Sequence, residues 1–160
     1  MTLHAPSNIN PTKGKRIAMA AYKKPDKEDA DLLLRLMEVG NTPEATDAMA
    51  WFGKDFDAKN YKEFKAKYPD GSPGDRHFGT LMTRLELDGV LVSHGLLNEN
   101  LYFDFSGIGF MWPKLGPIVE GARKEMKSQA LWENAVWLAE RQKQWSKTVW
   151  KPNLAWKTGK

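Results

Sequence analysis

The side chains that ordinarily carry out chemistry are few and scattered in this 160-residue chain. Its three histidines, His4, His77 and His94, have no partner at the spacings that build a helical metal site, such as H-E-x-x-H or E-x-x-H. There is no cysteine, which removes thiolate nucleophiles, zinc–thiolate sites, iron–sulfur clusters and disulfides together. No G-x-x-x-x-G-K-[ST] phosphate loop and no G-x-S-x-G elbow occurs, and Gly107-Ile108-Gly109 lacks the preceding strand and third glycine of a dinucleotide site. Asp55 and Asp57 sit where a helix starts and read as caps rather than as cation ligands. The densest polar constellation is Arg123, Glu125, Glu133, Glu140 and Arg141. If the last two helices run antiparallel, Arg123 reaches Glu133 across the pair, and the expectation is a structural ion pair rather than a catalytic acid. No catalytic residue, metal or cofactor is assigned.

Charge is more informative than chemistry. Residues 1–24 hold five basic side chains and no acid, and residues 141–160 hold six and no acid. The whole chain has 24 basic and 20 acidic residues, so the 13 basic and 20 acidic residues left for the body give it a net charge of −7. Basic ends on an acidic body steer toward an acidic protein, nucleic acid or an anionic surface, or they pack on the body itself.

The elements that must position these groups read as helices. Residues 1–25, with Pro6, Pro11, Gly14 and Pro25, read as an extended arm. Asp26 opens a helix that Gly40 ends, with Leu32, Leu33, Leu36 and Met37 on its buried face. Thr42-Pro43-Glu44 starts a second helix, and Asp57 caps a third carrying Tyr61, Phe64 and Tyr68. After a loop from Pro69 to Gly74, Asp75 starts a longer helix that reaches His94. Asn98 caps a short helix, and another spans about residues 110–127, with Pro117 expected to kink it or reset its start. The last helix covers about residues 130–150. The fold class expected is all-α: a compact bundle of six or seven helices forming one domain over residues 26–150, with a basic tail at 151–160. No apolar run approaches the 18 residues of a membrane span, so a soluble, cytoplasmic protein is expected.

Five of the seven tryptophans fall between residues 132 and 156. On the last helix Trp145 shares a face with Leu131, Ala135 and Leu138, whereas Trp137 lies in the polar strip near Arg141. Tryptophan and arginine are favoured anchors of protein interfaces. The partner contacts expected are therefore Trp137, Arg141, Trp145, Trp150 and Trp156, together with Lys13, Lys15 and Arg16 of the N-terminal arm.

Several stretches carry a resemblance. Residues 85–101 contain Gly95-Leu96-Leu97-Asn98-Glu99; Trp112, Leu115, Pro117, Ile118 and Arg123 follow; then come Trp132-Glu133-Asn134 and Leu138-Ala139-Glu140-Arg141. Over about residues 80–145 the chain resembles a bacterial family of small helical proteins known only as a domain of unknown function. That resemblance implies an all-α fold and supplies no activity and no catalytic residues. Members of that family often carry an apolar span ahead of the domain, which this sequence lacks.

The function expected is a non-catalytic binding protein, or an accessory or structural subunit of a larger complex, whose partner is another protein or a second copy of the chain. The alternative is a nucleic-acid binder acting through the basic termini.

Overall fold

The computed structural model describes residues 24–148. Among the described residues there are seven helices and no strand. Helix α1 (Lys27–Gly40) begins with a reciprocal capping box, in which Asp26 and Asp29 each accept the other's backbone N–H. Thr42 caps α2 (Pro43–Lys54), which has proline in its first turn. Helix α3 (Tyr61–Lys67) is capped by Asn60, not by Asp57. Asp57 is left outside the helix and pairs with Lys67 at 2.8 Å.

The long helix α4 (Pro73–Ser93) starts two residues earlier than the Pro69 to Gly74 loop reading allowed, because Ser72 caps it and Pro73 takes the first turn. Gly95 ends it with φ +69°, a backbone conformation that suits glycine. Asn98 caps α5 (Glu99–Phe105) by accepting the N–H groups of Asn100 and Leu101. Helix α6 (Ile108–Glu125) continues as one helix through Pro113 and Pro117 rather than restarting. Both prolines are exposed, so the missing backbone hydrogen bonds fall on the side away from the core. Helix α7 covers Glu133–Thr148 within the described residues.

Helix α4 is the axis of the bundle and packs on both α2 and α7, while α6 bridges α3 and α7. Phe52, Met82, Leu97, Ile108, Leu115, Ile118 and Leu138 are almost wholly removed from solvent at the centre. An aromatic cluster closes one end: Trp51 meets Phe56 and Tyr68 edge to face, and Phe78 meets Trp132 in the same way. Helix α1 is only lightly embedded, with Asp29 and Leu36 its buried residues, and it packs mainly on α5. Met37, expected on its buried face, is 41% exposed. No helix among the described residues is long and apolar enough to cross a membrane.

Candidate binding groove

Because α1 touches the body mainly through α5, a cleft stays open between α1, α2, α4 and the start of α6. Its volume is about 1000 Å³. Six large apolar side chains that face it stay substantially exposed: Leu34, Met37, Val39, Met49, Leu87 and Phe105. Concentration of apolar surface in one concave place is the mark of an interaction site on a soluble domain.

Among the buried apolar lining residues Leu81, Leu85, Ile108 and Met111 sits one polar cluster. Arg84 and Asp88 lie one turn apart on α4, and the Arg84 Nε donates to Asp88 Oδ1 at 3.0 Å. The other carboxylate oxygen accepts from the Tyr102 hydroxyl of α5 at 2.9 Å. Gly40 makes room for this arrangement, since a Cβ there would fall on the Arg84 guanidinium. Burial pushes the Asp88 carboxyl above its ordinary value, against the opposing pull of Arg84 and the Tyr102 hydrogen bond. Burial and the Asp88 charge also push the Tyr102 phenol upward, so it stays a donor.

This has a measurable consequence. A carboxyl whose folded pKa is raised binds its proton more readily when folded than when unfolded, so its contribution to stability falls as pH rises. The window opens near the ordinary carboxyl value of 3.8 and ends at the raised folded value. The stability of Asp88→Asn relative to wild type should therefore climb across that window, as read from urea midpoints at successive pH values. A difference independent of pH would contradict it.

A second polar cluster locks the bundle and accounts for two of the expected partner contacts. Three consecutive residues at the start of α5 each reach a distant helix. The Asn98 N–H donates to Asp29 Oδ1 of α1 at 2.8 Å. Glu99 accepts two hydrogen bonds from Arg141 of α7, at 2.5 and 2.6 Å. Asn100 accepts from the Trp145 indole at 2.8 Å. Arg141 and Trp145 are thus buried and serve as internal struts. Their heads find partners on α5 more than 40 residues away in sequence. Glu99 also holds the guanidinium pKa above its ordinary value.

The expected Arg123–Glu133 ion pair does not form. The Arg123 guanidinium bonds the backbone carbonyl and side chain of Gln129 in the turn between the helices, and Glu133 is exposed. Trp137 is half-buried against the core. Trp150, Trp156, Lys13, Lys15 and Arg16 lie outside the described residues. The groove itself escaped sequence reading. Its only trace was surplus apolar side chains on α1, Leu34 and Val39, away from the buried stripe. Among the described residues no three His, Asp or Glu side chains converge as a metal site.

A family model for a domain of unknown function, DUF4760, matches residues 26–142. The chain belongs to the DUF4760 family. The match begins at the cap of α1 and runs past Arg141, so it takes in the groove-lining helices and the Glu99–Arg141 strut of this DUF4760 domain. It is wider than the resemblance over residues 80–145 read from the sequence. No curated protein and no solved structure matches the chain.

Proposed function

We propose that this DUF4760 domain is a non-catalytic binding protein, an accessory or structural subunit of a larger complex, and that its groove receives an apolar segment bearing Lys or Arg from a protein partner. The groove carries this reading: an open cleft where exposed apolar side chains of α1, α2, α4 and α5 gather. Charge supports a basic occupant. Glu38 lines the cleft, and Glu44, Asp47 and Asp104 are exposed beside lining residues of α2 and α5. Arg35 is the one exposed cation next to a lining residue of α1, while the Arg84 charge is matched by Asp88. The polar cluster of Arg84, Asp88 and Tyr102 offers no freely approachable carboxylate for proton transfer, since both Asp88 oxygens already accept hydrogen bonds. Trp137, partly buried, and the terminal Trp150, Trp156, Lys13, Lys15 and Arg16 are further contacts within the same proposal.

The test places a photo-crosslinking amino acid at Val39, 68% exposed in the groove, and at Lys124 on α6 as a control. In native cells the Val39 site should cross-link apolar peptides flanked by Lys or Arg. Leu34→Glu should cut that yield about tenfold, the equivalent of 1.4 kcal/mol. Because Leu34 is 57% exposed, folding stability should change by no more than about 0.5 kcal/mol. Equal cross-linking at Val39 and Lys124, insensitive to Leu34→Glu, would reject the groove as a docking site.

A further inference from the structure

The walls of the groove decide what shape of segment it takes. They are helices, whose interior N–H and C=O groups are spent on their own i→i−4 bonds, so a docked segment has to be held through its side chains. The lining residues of α1 fall within 33–40 and those of α4 within 80–88, stretches about 10 and 12 Å long at 1.5 Å per residue. An extended segment crosses 12 Å in about four residues and turns only about two side chains toward one face. A helix crosses it in about two turns and turns three or four side chains toward one face. Only the second matches the exposed apolar surface that Leu34, Met37, Val39, Met49, Leu87 and Phe105 offer. Met37 and Met49 suit such an occupant, because their unbranched side chains adapt to the ridges of a helix.

Charge at two helix ends fixes the polar side of that occupant. Glu38 stands in the last turn of α1 and Asp104 in the last turn of α5, and neither turn holds a basic residue. An acid at the negative end of a helix dipole is poorly placed until a cation joins it. Arg84 reaches Gly40 from α4, but Asp88 matches its charge. Glu38 and Asp104 form no ion pair among the described residues.

We propose that the groove receives an amphipathic α-helix of two to three turns from a protein partner, inserting apolar side chains at i, i+4 and i+7 and setting Lys or Arg beside Glu38 and Asp104. The proposal rests on the groove being a docking surface, as argued above, and adds the conformation and the side-chain spacing of what docks. A segment of this length is marginally helical alone, so it orders as it binds.

Two display libraries of peptides of about 14 residues, selected on the full chain, test this. One fixes apolar residues at i, i+4 and i+7, the other at i, i+2 and i+4, and the remaining positions draw equally on Lys, Arg, Glu, Gln and Ala. The tightest binders should come from the first library and favour Lys or Arg over Glu. A proline at the centre of the best binder should weaken it at least about tenfold, a change made in the peptide that leaves the folding of the protein untouched. Leu34→Glu should weaken it about tenfold, and Glu38→Lys combined with Asp104→Lys about fivefold at low salt, with the latter loss fading as salt rises. Tighter binders from the alternating library, indifference to the central proline, a preference for Glu, or no binder dependent on Leu34 would each overturn the proposal. If it falls while Val39 still cross-links peptides of other proteins in cells, docking stands and the helical occupant is wrong. Cross-links at Val39 that join two copies of the chain would assign the groove to a second copy instead. If Val39 cross-links no better than Lys124, the groove is not a docking surface at all.

Discussion

Gly89→Ala is expected to destabilise the domain by about 2–4 kcal/mol, although alanine is the better helix former. Gly89 lies buried inside α4 where α7 begins. A Cβ there would stand 2.9 Å from the Asn134 Cβ and closer still to the Asn134 carbonyl, a backbone group with no freedom to swing aside. The same crossing carries a polar clasp. The Glu86 carboxylate, one turn earlier on α4, accepts the Asn134 and Ala135 backbone N–H groups and the Asn134 side-chain amide at 2.7 to 3.4 Å. Glu86 thereby caps α7 from a different helix, supplying acceptors to first-turn N–H groups that a helix cannot satisfy internally. Pushing the helices apart at Gly89 strains the packing and this clasp together. Gly79 in the same helix is the control, because a Cβ there meets nothing within 4 Å. Gly79→Ala should stabilise by up to about 1 kcal/mol. Urea unfolding of the two variants gives opposite signs if the close crossing exists; two stabilising substitutions would refute it.

The Arg141–Glu99 strut should show strong coupling. Arg141 has a side-chain exposure of 8% and Glu99 of 20%, and the pair is doubly hydrogen-bonded. Removing either partner leaves the other with its hydration stripped and nothing to replace it. Arg141→Met is therefore expected to cost about 2–4 kcal/mol, somewhat below the value for a fully buried pair because Glu99 keeps some solvent. Glu99→Gln should cost less, since its amide oxygen still accepts one bond. The double variant should be more stable than the sum of the two losses allows, with a coupling of about 1–3 kcal/mol. Costs that simply add, to within about 0.5 kcal/mol, would show that each side chain is held by something else. The strut matters for the groove because α5 carries both Glu99 and Tyr102, the groove-lining residue that bonds Asp88.

Most helix starts could be read locally. The Asp26–Asp29 box, the Thr42-Pro43 start and the Asn98 cap need only side chains two or three residues apart, so sequence order and spatial contact coincide. The misplaced cap at Asp57 and the late start at Asp75 are errors of a few residues among competing Asp, Asn and Ser, each a good cap. Pro117 suggests a kink or a new start because proline removes a hydrogen bond; α6 continues through it, with both its prolines facing outward.

Periodicity and capping along the chain thus point to six or seven helices, since both depend on neighbours within one or two turns; seven stand among the described residues. The fate of the amphipathic side chains was settled in three dimensions. Arg141 and Trp145 look like surface anchors until α5 brings Glu99 and Asn100 beneath them. The groove exists because α1 packs on α5 while α2 packs on α4, a geometry of pairs distant in sequence that no local pattern encodes.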